Sequence, residues 1–328
     1  MGSATGRDLH VDQLLSQIAL NYRPPGMIAD QIAPIVPVQK ETDSYPIFSR
    51  GEAFSIEKTN RSRGTQANRV TRTVSSAQYA AKNYALAYDI PVEDRANMDP
   101  TWQLELEAGA VRYLTDKLTL DWDRRVLTLA QANVSTSFLC GSSWSAGGTV
   151  STPPGDPVSM LWKLQEQIQS TTAVKPNSVL FGFKAWNWAR RNINFRNFVQ
   201  GLYAGGNNVS REGARSALEL DRLLIAQAFY NPMNEGQTAT FSNYFPADAV
   251  LMYYAPLAPS REVPSFLYSF RWTAPELGEA FAAIRHQFDT RARVDGVEVQ
   301  YYQDERVTGS DYGALLIGVG SSQANGLT

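Results

Sequence analysis

The sequence predicts an α+β fold, and three stretches predict it. One is an unbroken helix-compatible run from Pro100 to about Asn133; a second is the β-compatible, basic segment that precedes it; the third is the alternation of short helix and strand patterns after residue 157. Hydrophobic residues are 43% of the 328, enough to build a core for one large domain or two to three smaller ones. A net charge of −2 argues against a generally basic nucleic-acid binder. The first twenty residues are interrupted by Arg7, Asp8, His10 and Asp12 and lack an apolar signal core. No stretch reaches the roughly 18 apolar residues of a membrane span, so the expectation is a soluble chain made in the cytoplasm.

Residues 1–46 read as an arm. A short amphipathic helix over Asp12 to Tyr22 stops at Arg23-Pro24-Pro25-Gly26. From Met27 to Val38 the chain is apolar, and Pro34 and Pro37 exclude a regular helix or a central strand, so an extended segment is expected. Such a segment needs a cover, either its own core or a neighbouring subunit. Residues 47–88 carry Arg50, Lys58, Arg61, Arg63, Arg69, Arg72 and Lys82 against Glu52 and Glu57, a local charge of +5. Val70 to Val74 and Ala80 to Tyr88 suit strands, and Asn60 to Asn68 is polar. This is the pattern of a long two-stranded excursion or a solvated loop. Its tip lacks the aromatics that stack on bases.

Asp99 is a helix N-cap candidate and Pro100 suits the first helical position, where its missing N–H costs nothing. Leu104, Ala108, Val111, Thr115, Leu118, Trp122, Val126 and Leu129 then recur at three- and four-residue steps. The expected helix is roughly 45–50 Å long, about three times the usual length. Ser135 to Pro157, rich in Ser, Thr, Gly and Pro, reads as a surface loop. Asp156-Pro157 opens a helix through Leu161, Leu164 and Ile168. Ser178 to Phe183 is a buried-strand pattern, Lys184 to Arg191 a helix, and Leu223 to Phe229, Ala249 to Tyr254 and Phe266 to Trp272 are further strands of a compact block of about 110 residues. Val297, Val299 and Tyr301 alternate with polar residues, and Ala314 to Val319 is apolar; these two are expected to pair as closing antiparallel strands joined near Gly309.

Catalytic groups are scarce. Cys140 is the single cysteine, which excludes an internal disulfide framework and a multi-cysteine metal site, and His10 and His286 lie near opposite ends of the chain. Asp121 and Asp123 are two apart on a helix and point in different directions. Glu93 and Asp94 can in principle act as acid and base, but before a helix N-terminus negative charge is favoured on its own account. Gly318-Val319-Gly320 lacks the third glycine and the following helix of a dinucleotide loop. Gly141-Ser142-Ser143-Trp144-Ser145 lacks the glycine of a nucleophile elbow. Trp162, Trp186, Trp188 and Trp272 suit a sugar site, or core and interface anchors. The reading is therefore of a protein that is not an enzyme, with no catalytic, cofactor-binding or metal-binding residue.

Several stretches, in order, carry a resemblance. They are Ile28-Ala29-Asp30-Gln31-Ile32-Ala33-Pro34-Ile35-Val36-Pro37-Val38, then Tyr45-Pro46-Ile47-Phe48 with Gly51-Glu52, and Tyr84-Ala85-Leu86-Ala87-Tyr88-Asp89-Ile90-Pro91 running to Arg95-Ala96-Asn97. Ser143-Trp144-Ser145 ahead of Gly155-Asp156-Pro157, and Lys175-Pro176-Asn177-Ser178-Val179-Leu180-Phe181-Gly182, complete the set. Together they resemble tailed-bacteriophage major capsid proteins of the HK97-like fold, nearest the phage major capsid protein E grouping. The resemblance implies an N-terminal arm over 1–46, an extended E loop over 47–86, and a P domain over 87–175 with a spine helix at about 100–132 and a surface loop at 135–157. It also implies an A domain over 176–284 and returning P-domain strands and a C-terminal strand over 285–328. The expected function is self-assembly through pentamers and hexamers into an icosahedral shell around double-stranded DNA. The expected partners are copies of the chain itself, a separate scaffolding protein (the arm begins almost at Met1, which implies a separate scaffold or a prior cleavage), a portal, a cement protein and non-specifically contacted DNA. A nanocompartment shell of the same fold and, remotely, a carboxylate-dependent sugar-active enzyme are the alternatives. Lys58 lies where some relatives carry a crosslinking lysine, but no covalent crosslink is expected without an assignable partner.

Charge adds a reason for this arrangement. Asp89 to Asp123 carries a net −6, opposite in sign to the preceding excursion. The candidate inter-subunit residues are therefore Lys58, Arg61, Arg63, Arg69 and Arg72 on the basic side and Glu93, Asp94, Glu105 and Glu107 on the acidic side, one subunit's loop lying over its neighbour's helix.

Overall fold

A computed structural model describes residues 18–19, 26–48, 56–57, 59–70, 74–97, 100–140, 143–144, 155–202, 209–233, 237–238, 240–273, 282–289 and 294–320. In chain order the elements are helix α1 (Ala29–Ile32), strands β1 (Ile35–Val38), β2 (Thr42–Phe48), β3 (Val74–Ala80) and β4 (Lys82–Pro91), helices α2 (Val92–Ala96) and α3 (Pro100–Ala132), and strand β5 (Thr136–Leu139). There follow helix α4 (Pro157–Thr172), strand β6 (Ser178–Gly182), helices α5 (Phe183–Arg191), α6 (Ile193–Leu202) and α7 (Arg211–Ala217), and strand β7 (Arg222–Ala226). The chain closes with strands β8 (Phe229–Tyr230), β9 (Ser242–Asn243), β10 (Val250–Tyr253), β11 (Leu267–Trp272), β12 (Ala282–Asp289), β13 (Val294–Val307) and β14 (Gly313–Ile317).

Helix α3 has 33 residues, roughly 50 Å at 1.5 Å per residue. Val111, Leu114, Leu118, Trp122, Val126 and Ala130 are buried along it at three- and four-residue steps. Its middle packs on Ala283, Val297, Val299 and Tyr301, and its last half on Leu251, Tyr253, Phe266 and Leu315. One helix thus spans two cores. Thr115 and Thr119, buried in it, satisfy their hydroxyls by donating to the Val111 and Thr115 carbonyls at 2.8 and 2.7 Å. The cap expected from Asp99 lies outside the described residues.

Two five-stranded sheets flank this helix. In the first, β13 pairs antiparallel with β4, β11 and β12, and β1 adds in parallel to β11. The second has the order β5-β14-β10-β6-β7. Strands β6 and β10 are buried over their whole length, as strands covered on both faces must be. Val179, Phe181, Val250, Met252 and Leu316 face α4, α5 and α6, while Leu180, Leu251 and Leu315 face α3 and α1. Helix α4 begins as the Asp156-Pro157 pair predicts: the Asp156 carboxylate accepts the Val158 N–H at 3.0 Å.

Several sequence expectations change. The expected closing pair does not form: β13 belongs to the first sheet, while β14 lies in the second between β10 and β5. Alternation identifies a strand but not its partner. The compact block likewise loses Phe266 to Trp272, since β11 pairs with β13 and β1. Part of the expected surface loop is structural, with β5 parallel to β14 and Cys140 and Trp144 buried. The excursion's arms are β2 and β3, whereas β4 leaves them after Ala81 to run along β13. Finally, Met27 to Val38 is not uniformly extended. It makes one helical turn, α1, and then β1, a strand that among the described residues pairs with β11 alone, where Pro37 is exposed and its missing donor costs nothing. Its cover is its own subunit: Ile28, Ala29, Ile32 and Ala33 join Trp122, Val126 and Ala130 in one core.

The root of the β2–β3 hairpin is clamped by aromatics. The rings of Tyr45 and Tyr79 lie 5.0 and 4.8 Å from that of Phe270, which has no exposed surface. Ala80 N–H donates to Asp304 Oδ2 at 2.9 Å. Phe270→Ala is expected to lower the stability of the subunit by about 3–4 kcal/mol and to speed proteolysis within the hairpin. Urea unfolding and limited digestion measure both effects.

Candidate assembly surfaces

Beyond the clamped root, every described position from 59 to 70 is exposed, as are Ile56 and Glu57. Arg61, Arg63 and Arg69 project here and make no ion pair among the described residues. Ile56 is 100% and Val70 67% exposed, so the basic tip also carries apolar side chains without cover in the subunit. A turn shapes it, with Thr65 donating its hydroxyl to the Ser62 carbonyl at 2.9 Å and Gly64 at φ +82. Lys58 and Arg72 lie outside the described residues.

The acidic flank is divided. Glu93 in α2 and Glu105 in α3 are exposed, and so is Asp89 at the end of β4. Asp94 falls in α2, but its side chain lies outside what is described. Glu107 is buried, only 5% exposed, so that carboxylate faces the interior of the subunit rather than a free surface. The strand and helix that carry Asp89 and Glu105 also carry an aromatic patch that sequence reasoning missed. Tyr88 of β4 and Tyr113 of α3 meet edge-on at 6.3 Å, both at least 40% exposed, beside exposed Leu86. Lys117 Nζ stands 5.5 Å from the Tyr113 ring. Apolar side chains rimmed by charge are the composition of a protein contact.

Behind this flank, a polar network fixes α3 to the first sheet. Arg125 donates to Glu305 Oε1 at 2.9 Å and to the Tyr301 hydroxyl at 3.0 Å, pairs with Asp121, and lies 3.6 Å from the centre of the Tyr84 ring. Burial lowers its pKa, but hydrogen bonds and charge from Glu305 and Tyr301 outweigh that, so the group is held above its ordinary value. Arg271, 5% exposed, donates twice to Gln303 Oε1, at 2.9 and 2.6 Å, and its guanidinium lies 5.1 Å from Trp122 and 5.4 Å from Tyr301. Burial pulls it down to about 10, which leaves it charged at neutral pH. The signal available in sequence was an arginine inside the otherwise uncharged Leu267–Trp272 strand. Arg125→Met is expected to cost about 2–3 kcal/mol, because it removes the cation from the Glu305 carboxylate, whose side chain is 8% exposed, and leaves it the Gln303 amide as a neutral donor. In a double-mutant cycle measured by urea unfolding, Arg125→Met with Glu305→Leu recovers most of that loss.

The residues considered for chemistry do not converge. Trp186 and Trp188 belong to the core beside α4, Trp162 packs edge-on against Phe198, and Trp272, away from these in the first sheet, donates to the Gln39 carbonyl just after β1. Gly320 is packed so closely on Trp188 that a Cβ there would lie 2.1 Å from the ring, which leaves no open cradle. Among the described residues, no group of three His, Cys, Asp or Glu is placed to hold a metal, and no helix is long and apolar enough to cross a membrane.

No family model matches the chain. It is 22% identical over 313 residues to the major capsid protein of Burkholderia phage BcepMu, covering 94% of this chain and 96% of that protein. Its fold is similar to that of a phage-related protein from Bordetella bronchiseptica RB50, with a TM-score of 0.71, 19% identity, and 95% and 98% of the two chains covered. The capsid structure of cyanophage P-SCSP1u is also similar, with a TM-score of 0.54, 13% identity, and 92% and 90% covered.

Proposed function

We infer that this chain is a major capsid protein of a tailed phage, a subunit of HK97-like fold that self-assembles into the shell enclosing the phage genome. The observation that carries this reading is the similarity to a phage major capsid protein along nearly the full length of both chains. The solved capsid structure supports the fold independently. The chain's role is structural and its place is the virion capsid.

The finer assignments extend that reading. Residues 1–46 serve as the N-terminal arm, 47–86 as the E loop, 87–175 with 285–328 as the P domain and closing strands, and 176–284 as the A domain, except that β11 and the start of β12 pair with β13 in the P-domain sheet. Pentamers and hexamers build an icosahedral shell. Within them the basic hairpin tip of one subunit lies over a neighbour's acidic flank around Asp89, Glu93 and Glu105, with Ile56 and Val70 meeting the Tyr88–Tyr113 patch. Opposite charge steers the encounter and apolar contact supplies affinity. Arg61, Arg63 and Arg69, exposed and without an ion pair among the described residues, support this mode. A separate scaffolding protein, a portal, a cement protein and non-specific contact with double-stranded DNA complete the assembly, which forms in the host cytoplasm. Particles purified from phage-producing cells test the reading: nuclease-protected DNA inside shells made of this chain is expected. Shells of this chain that hold protein cargo and no DNA would instead identify a nanocompartment.

A further inference from the structure

A carboxylate with no exposed surface sits where the N-terminal segment meets the long helix. Asp123 is 0% exposed; its Oδ1 accepts the Ile28 N–H at 3.0 Å, and its Oδ2 is buried with no hydrogen-bond partner among the described residues. Ile28 immediately precedes α1, a single turn whose first N–H groups have no acceptor inside the helix. Asp123 supplies one from 95 positions away. The other end of that turn is held through the Gln31 carbonyl, which accepts from Arg222 Nη1 at 3.1 Å and from the Tyr253 hydroxyl at 3.3 Å. Ile28, Ala29 and Ile32 fill the space against Trp122, Val126 and Ala130.

We propose that Asp123 is a pH-responsive latch for the N-terminal segment: protonated, it fastens residues 27–33 to α3, and ionised, its buried charge loosens them. A buried acid with one unpartnered oxygen is tolerable when neutral and costly when charged. The surrounding side chains do not offset that charge; the Ile28 and Ala29 N–H groups favour it, but less than burial disfavours it. Asp30 on α1 opposes ionisation, and Tyr244, ahead of β10, is neutral at physiological pH. Arg222 on β7 is engaged with the Gln31 carbonyl, as is Tyr253 on β10; Arg271 on β11 lies on the Trp122 ring, and Arg124 on α3 pairs with Asp121. Burial, reinforced by Asp30 and opposed by the Ile28 and Ala29 N–H groups, pushes the Asp123 carboxyl up to about 6 from 3.8.

The docked segment therefore holds the proton more tightly than the released one. Docking is strongest below about pH 4, weakens as pH rises to about 6, and is constant above that; two pKa units correspond to roughly a 100-fold change in the docking equilibrium. Hydrogen exchange of the full-length protein, followed by mass spectrometry on peptides covering 27–33 and corrected for intrinsic rates, reads this directly. Protection is expected to fall by up to about 100-fold between about pH 4 and 6 in the wild type, and to stay flat in Asp123→Asn, which keeps the acceptor but cannot ionise. Constant wild-type protection, or an equal fall in Asp123→Asn, overturns the proposal. If that variant does not fold, Asp30→Asn decides: the fall is expected to be smaller and to end at lower pH, and an unchanged profile overturns the latch.

Discussion

Reversing Arg61, Arg63 and Arg69 to glutamate is expected to abolish shell formation while leaving the subunit folded. All three side chains are exposed and make no ion pair among the described residues, so the fold loses nothing with them. The excursion over 47–88 changes from +5 to −1, while the flank it is proposed to meet, Asp89 to Asp123, stays at −6. A single exposed pair contributes only about 0.2–1 kcal/mol. A shell repeats the contact in every subunit, however, and reversal turns each attraction into repulsion. Circular dichroism is expected to match the wild type, and sedimentation to show free subunits or small oligomers. Assembly of the wild type should weaken as salt rises, since the Debye length is about 8 Å at 0.15 M ionic strength. Unaltered shells from the triple variant would remove the hairpin–flank contact from the account.

Gly182→Ala is expected to cost the subunit about 3 kcal/mol, and Gly182→Val to prevent it from accumulating folded. A Cβ at this position would lie 2.3 Å from the Pro246 carbonyl oxygen and 2.5 Å from that of Ala247. These are backbone atoms and cannot rotate aside. They are held by Gly182 N–H to Ala249 O and Ala185 N–H to Ala247 O, both at 2.9 Å, at the end of a fully buried strand. Relief would require moving the centre of the second sheet, and total stabilities are only about 5–15 kcal/mol. Gly109 on α3 is the internal control, since a Cβ there meets nothing within 4 Å. Gly109→Ala should raise stability by up to about 1 kcal/mol. Urea midpoints for the two alanine variants should move in opposite directions; equal shifts would contradict the packing argument.

What the sequence made legible was local. Pro100 and the spacing of Val111, Leu118, Trp122 and Val126 define the long helix, because burial on one face imposes that period. Asp156-Pro157 marked α4 through capping chemistry alone. Pairing partners were not legible. Val297 to Tyr301 and Ala314 to Val319 both read as strands, but only tertiary packing sends them into different sheets. Strand β5 was hidden because Ser135 to Pro157 has a loop's composition. At the candidate surfaces, charge counting found the arginines and acids but could not see that Glu107 turns inward or that Tyr88 and Tyr113 meet. Asp123 looked like one of two unrelated helix acids, since its role depends on a segment 95 residues earlier.

Self-assembly into shells defines the proposed role, and electron microscopy of the purified chain measures it without an intermediate step. Closed shells, or rings of five and six subunits, are the predicted result. A stable monomer across all salt, pH and concentration conditions tried, and with a co-expressed scaffolding protein, would contradict it.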